Sequence, residues 1–250
     1  MRKICHLCKK EKTLLKKSHI LSDFLYKDLY DENHKLISFE MKELKKITPR
    51  ISKPSTGVYE GGILCFDCDN NVIGNYENYV SRLISNKLIN EEKINCLTNK
   101  NKEGINFINL SNINYNYTKL FLLSLLWRTN ISTRREYKEV SLGPYEEKIR
   151  SQLLNGKCLE HNCIQINVLK FDDKSNFSSF IGQPRRHKID NSTVYSIILN
   201  GYLVIYHLKT NKISKKMIAQ SLLPEGTLNL ILMPKKDVDS FIITYTGIRN

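Results

Sequence analysis

The sequence predicts an α+β protein in two parts, a cysteine-organised N-terminal domain and a C-terminal domain of helices followed by an antiparallel sheet. Three observations predict it. Two CxxC pairs stand at Cys5–Cys8 and Cys65–Cys68, the second directly before a helical pattern. The apolar period is helical through the first two helices of the second half and becomes two after Gly156. Asn200-Gly201 separates two apolar runs, and both residue types tolerate the positive φ that a two-residue hairpin turn requires.

The elements follow in order. Residues 1–25 read as a CxxC turn, then Thr13-Leu14-Leu15 and Ser18-His19-Ile20-Leu21. Residues 26–62 are mixed and polar, with Pro54-Ser55-Thr56-Gly57 as a loop. Ile63-Leu64 leads into the second CxxC, and from Asp69 a helix is expected because Val72, Ile73, Tyr76, Val80, Leu83 and Ile84 recur at its spacing. Asn101-Lys102-Glu103-Gly104 marks a boundary, giving domains 1–103 and 104–250. Tyr117–Arg128 reads as a buried helix. Pro144–Leu154 reads as another, with Pro144 in its first turn, Glu146 and Arg150 at i,i+4, and Asn155-Gly156 to stop it. Strands are expected at Cys163–Phe171, Thr193–Leu199, Tyr202–Leu208, Thr227–Met233 and Ser240–Thr246, with a short helix at Lys216–Leu222. The second domain thus has helices within 117–154 and a sheet within 163–248.

Lys and Arg number 39 against 25 acids, a net charge of +14. This balance favours a polyanionic partner, DNA or RNA, because each cation placed on a phosphate releases a condensed counterion. A coding bias is the competing source of that charge, since the chain is rich in Asn, Ile and Lys. At 41% apolar residues it has the composition of a folded globular protein. Met1-Arg2-Lys3-Ile4-Cys5 runs straight into the first cysteine pair without an apolar leader, and the longest apolar run, Leu120–Trp127, is too short for a bilayer. The expected compartment is the cytoplasm, where the seven cysteines stay reduced.

In such a compartment repeated CxxC reads first as a metal site. Cys5, Cys8, Cys65 and Cys68 together supply the tetrahedral sulfur set of a structural Zn²⁺. A redox CxxC or chance pairing are the alternatives. The second pair would let zinc pin a helix start against the N-terminal hairpin. Asp69 then shares a helical face with Val72, Tyr76 and Val80 and is expected to point inward. It reads either as a helix-start carboxylate favoured by the macrodipole or as a ligand for a catalytic metal. Cys158-Leu159-Glu160-His161-Asn162-Cys163 is taken as structural or incidental, and Cys96 as a small buried apolar residue.

Ser18-His19-Ile20 between two CxxC pairs, with a helix after the second, resembles the ββα-metal nucleases of the HNH class. It resembles more closely a bacterial HNH-like group with a CxxC, a Ser-His-Ile segment, Leu-Cys-x-x-Cys-Asp/Glu-Asn and a Tyr-Glu helix. Those parts stand here as Ser18-His19-Ile20-Leu21-Ser22-Asp23-Phe24, Leu64-Cys65 to Cys68-Asp69-Asn70, and Tyr76-Glu77. Leu122–Arg128, Leu142-Gly143-Pro144 and Arg150 also fit, so the likeness spans roughly residues 1–155. It implies a treble-clef zinc frame and a metal-dependent endonuclease that hydrolyses DNA phosphodiesters, and, as HNH proteins of mobile bacterial loci often are, a defence effector acting with an ATPase or sensor partner. It also implies His19 as general base and Asp69 as ligand of a catalytic Mg²⁺ or Mn²⁺, with Asp23 and Glu77 as second-choice ligands. Three positions depart from the pattern: Ser18 precedes the histidine, Glu60-Gly61-Gly62 stands where an Asn is expected, and Ser22 replaces a proline. These departures keep open a zinc-dependent nucleic-acid-binding or adaptor protein without catalysis, and a His19 that is only hydrogen-bonded in its hairpin.

Lys9, Lys10, Lys12, Lys16 and Lys17 surround the predicted hairpin. Arg128, Arg134, Arg135 and the run Gln183–Lys188 supply further charge. Such runs are usually solvated faces. Lys16, Lys17, Arg185 and Arg186 are the expected nucleic-acid contacts, the arginines because a planar guanidinium reads phosphate bidentately.

Overall fold

The computed structural model describes residues 2–246 except 41, 42, 44, 45, 47, 92, 103, 159–163, 176, 190, 191 and 209–212, with backbone only at 90 and 246. The chain is mixed α and β. Short strands β1 (Arg2–Ile4) and β2 (Glu11–Thr13) form a hairpin around the first CxxC. Strand β3 (Ser18–His19) pairs with β6 (Tyr59–Glu60), Ser18 opposite Glu60 and His19 opposite Tyr59. Between them lie a 3₁₀ helix at Asp23–Leu29 and a small hairpin of β4 (Ser38–Phe39) and β5 (Ile51–Ser52). The loop before the second CxxC folds onto the first part of the chain, with Gly62 N–H donating to the Leu15 carbonyl at 2.9 Å and Leu15 N–H to Leu64 at 2.8 Å. Gly61 sits so close to Lys16 that a Cβ there would lie 2.5 Å from its carbonyl oxygen.

The predicted helix from Asp69 begins as a wide π turn, Asp67–Ile73, and continues as α1 (Gly74–Ile84). The Gly74 N–H donates back to the Asp69 carbonyl, five residues earlier. α1 buries Tyr76, Tyr79, Val80 and Leu83, while Ile84 is exposed. After α2 (Lys87–Glu91) come two strands that the sequence reading did not find, β7 (Asn95–Lys100) and β8 (Asn106–Ser111). Between them the Gly104 N–H donates to the Asn101 carbonyl at 3.0 Å, within the segment read as a boundary. Cys96, expected inside, is exposed on β7.

Helix α3 (Tyr115–Ile131) starts on an Asn114 cap, whose side chain accepts the Tyr117 N–H at 3.0 Å, and is buried on nearly every side. Such a helix belongs in the centre of a protein. α4 (Tyr145–Asn155) ends at Gly156 in the left-handed region, φ 69°. Strand β9 (Gln165–Phe171) begins two residues inside the expected Cys163–Phe171, and Cys163 lies outside the described residues. β10 (Arg185–Ile189), β11 (Ser192–Leu199) and β12 (Tyr202–His207) follow. Asn200 and Gly201 turn β11 into β12 at φ 44° and 86°. The remaining elements are α5 (Lys215–Ala219), β13 (Leu228–Met233) and α6 (Lys235–Thr246). α6 is a correction, because Ser240–Thr246 was expected as a strand.

The sheet has seven strands in the order β10-β11-β12-β9-β13-β8-β7, antiparallel except where β13 runs parallel to β9. One face packs on α3, where the buried Tyr206 hydroxyl donates to the Leu122 carbonyl at 2.9 Å. The other packs on α6, burying Phe171, Ile198 and Leu203 against Val238 and Ile242. Each such side chain removed from water contributes about 1.5–3 kcal/mol. Among the described residues no helix is long and apolar enough to cross a membrane.

Candidate metal centre and the adjoining histidine site

Cys5, Cys8, Cys65 and Cys68 converge, their sulfur atoms all within 4.8 Å of one another. Tetrahedral zinc with bonds of about 2.3 Å separates its sulfurs by about 3.8 Å, so the four thiols lie close enough to hold one such ion. The chemistry of the set fits as well. Cys5, Cys65 and Cys68 are buried and Cys8 is half-buried. The Cys65 N–H points at the Cys5 sulfur at 3.4 Å, the kind of donor that stabilises a thiolate. Burial raises the Cys65 and Cys68 thiols above their ordinary value. Backbone hydrogen bonds from Cys8 and Cys65 outweigh burial at Cys5 and lower it.

Charged side chains brace the centre from outside. Lys12 Nζ meets Asp67 Oδ2 at 2.6 Å, joining the first hairpin to the helix start. Arg150 of α4 pairs with Glu147 at 2.6 Å and donates to the Leu7 carbonyl inside the first CxxC turn. Of the 158–163 group, only Cys158 is among the described residues, half-buried with its N–H on Asn116 Oδ1 at 3.0 Å.

His19, six residues beyond the end of β2 and carried on β3, is one-third exposed. Its Nε2 lies 3.1 Å from Thr56 Oγ1 and 3.4 Å from Asp23 Oδ1. Asp69 is half-buried at the helix start and lies in the electrostatic field of Arg128, Glu77 and His19. Burial is the largest influence on its carboxyl and raises it above the ordinary range, with Glu77 adding to the rise and Arg128 opposing it. Ser18 Oγ is near enough to favour the Asp69 carboxylate but does not reach hydrogen-bond geometry. The expected inward direction of Asp69 therefore corresponds to a position facing the His19 strand.

The residue that organises this region is Arg128, which the sequence placed among surface cations. It is 1% exposed. Its guanidinium donates to the His19 carbonyl at 2.8 Å and to Ser22 Oγ at 3.1 Å, and pairs with Glu77 Oε1 at 2.8 Å. Ser22 donates to the same Glu77 oxygen at 2.6 Å. Glu77, a second-choice ligand, is thus committed to an internal network. Glu60, standing where the pattern has Asn, turns the other way, accepting from Thr133 Oγ1 at 2.7 Å and Thr133 N–H at 3.1 Å. Thr56 is a site residue that sequence reading saw only as loop, since nothing local announces a partner 37 positions away.

The cationic residues separate. Lys16 and Lys17 are exposed beside β3, with Lys17 Nζ 4.9 Å from the Tyr59 ring centre. Arg185 and Arg186 are not one patch. They are neighbours on β10 and alternate across the sheet. Arg185 pairs with Glu139 at 3.1 Å and covers the Tyr245 ring, whereas Arg186 is exposed.

Compared with protein-family models, with curated proteins and with solved structures, the chain matches none of them.

Proposed function

We propose that the chain is a metal-dependent phosphodiesterase of the HNH kind, cutting DNA from a treble-clef zinc frame. One observation carries the reading: a one-third-exposed histidine on a two-residue strand has a carboxylate on one ring nitrogen, and a second carboxylate stands nearby on the helix that the cysteine knuckle starts. With Thr56 and Asp23 both at Nε2, the proton belongs on that nitrogen and the lone pair on Nδ1. Nδ1 is then the atom that takes a proton from an attacking water, and Asp23 orients the ring, the logic of a base held by a third group. Among the described residues the four cysteines are the one group of three or more His, Cys, Asp or Glu donors placed to hold a metal ion. Asp69, with Asp23 beside His19, offers the one or two carboxylates that suffice for Mg²⁺ or Mn²⁺, since Mg²⁺ keeps several of its waters. When bound, such an ion supplies charge stabilisation to the phosphate and leaving oxygen.

A zinc-dependent adaptor that docks on nucleic acid or a partner subunit is the second reading. It is favoured by the commitment of Glu77 to Arg128 and Ser22, which takes one acid out of metal binding.

Supercoiled plasmid in Mg²⁺ or Mn²⁺ separates the two. Wild type is expected to nick it, chelator to stop it, and His19→Ala to lower the rate about 10²–10⁴-fold with zinc content and melting temperature kept. Equal cleavage by both proteins removes His19 from the mechanism. No cleavage by wild type selects the adaptor.

A further inference from the structure

A cleft of about 790 Å³ lies among the β4–β5 hairpin, the 135–138 turn, the 180–185 segment leading into β10, and Tyr245 of α6. That volume is in the range of small-ligand sites, about 300–1,000 Å³. Its wall combines cations with aromatic rings: Arg50, Arg135 and Lys138 with Phe39, Phe180 and Tyr245.

Glu40, Glu43 and Glu136 also line it, and each has partners of its own. Glu43 accepts Lys46 Nζ at 2.7 Å and the Arg50 N–H at 3.0 Å, and Glu136 accepts Arg134 Nε at 2.6 Å. Arg50, Arg135 and Lys138 are exposed and have no ion-pair partner among the described residues. A multiply charged anion entering the cleft meets three exposed cations and aromatic rings on one wall, and its contacts with them are charge-assisted. The Arg185 guanidinium lies over the Tyr245 ring, 5.7 Å from its centre, and its buried Nε has no hydrogen-bond partner among the described residues.

We propose that this cleft binds a nucleotide, with its phosphates on Arg50, Arg135 and Lys138 and its base against the Phe39 and Tyr245 rings. Phosphate and base occur together in a free nucleotide and in a single strand. A duplex hides its base faces and cannot use the rings. The inference stands apart from cleavage at His19. The turn that carries two of the cations also touches the strand opposite it, since Arg134 donates to the Tyr59 carbonyl at 3.3 Å.

Binding is measured on full-length, zinc-loaded His19→Ala protein with no other divalent ion added. ATP is titrated by calorimetry, and a short fluorescein-labelled oligothymidylate and its duplex by anisotropy. The single strand, ATP or both are expected to bind, and the arm that binds identifies the source. Arg135→Gln with Lys138→Gln is expected to weaken that binding about tenfold or more and flatten its salt dependence, with Phe39→Ala weakening it at unchanged salt slope. Arg50→Gln alone gives an independent reading of the phosphate contact. The proposal is overturned if neither ATP nor the strand binds, if folded double variant binds like the parent, or if the double variant weakens duplex binding as much as strand binding.

Discussion

The Arg128 guanidinium meets the Glu77 carboxylate at 2.8 Å, and the same side chain holds the His19 carbonyl at 2.8 Å. One buried arginine of α3 thereby joins the helix behind the cysteine centre to the strand that carries the candidate base. Glu77→Gln removes the counter-charge of a nearly inaccessible guanidinium and is expected to cost about 3–5 kcal/mol. Glu77 is itself a quarter exposed and gains water when Arg128 is replaced, so the charge lost in Arg128→Met costs less. Urea unfolding of both single variants and the double should give a double-variant cost well below the sum. Additive costs would show that the two residues do not act as a pair.

Metal removal should unfold the N-terminal part. Structural zinc contributes on the order of 10 kcal/mol, so Cys65→Ser or Cys8→Ser should yield metal-free, aggregating protein, against one zinc per chain in wild type. The ligands bind as thiolates, and burial raises the Cys65 and Cys68 thiols. Zinc must therefore displace protons, and its apparent affinity is expected to fall as pH falls. Competition with a chromophoric chelator across pH reads this directly. A pH-independent affinity would contradict thiolate ligation.

Glu60 supplies a second pH dependence. Burial opposes its charge, yet hydrogen bonds from Ser132 and Thr133 and the nearby Arg134 win, and its carboxyl lies below the ordinary value of 4.5. A depressed carboxyl contributes stability above its unfolded-state value, and that contribution is lost as pH falls through the folded one. Glu60→Gln should therefore be less stable at neutral pH and lose less on acidification below 4.5. Parallel stability curves for the two proteins would refute it.

Asp69→Ala should behave unlike His19→Ala. The proposed role of Asp69 is to hold a divalent ion, so its loss raises the metal concentration needed for cleavage, and part of the activity returns when Mn²⁺ is increased. Activity lost at all metal concentrations, with zinc content intact, would give Asp69 a role other than metal binding.

The parts of the fold that were legible are those where local chemistry decides. The two CxxC turns, the apolar α3, the Pro144 start and Gly156 end of α4, and Asn200-Gly201 between β11 and β12 each announce themselves within a few residues. β7 and β8 do not: β7 is a fully exposed edge strand rich in Asn, Thr and Lys, and in β8 the apolar Phe107, Ile108 and Leu110 do not alternate with polar residues. α6 misleads in the opposite way. Phe241, Ile242, Ile243 and Tyr245 favour a strand by type, but packing of Val238 and Ile242 against β9, β11 and β12 decides for helix. At the site, His19 and the cysteines are visible in sequence, whereas the partners of His19 are not. Thr56 and Arg128 are distant in the chain, and an arginine committed to the interior is written with the same letter as one on the surface.

The single parallel junction between β9 and β13 has a consequence for biosynthesis. β8 pairs with β13 across some 120 positions, Asn109 to Asn229, while all four thiols of the cysteine centre lie within the first 68 residues. Pairings of such long range form late and slowly. A nascent chain can therefore take up its metal while the β7–β8 hairpin still waits with an open edge, and β13 closes the sheet only once Met233 has left the ribosome. Throughout that interval the growing polypeptide offers β8 as a template for the wrong strand, and the side chains best placed to discourage it are the asparagines and lysine that made these two strands hard to recognise.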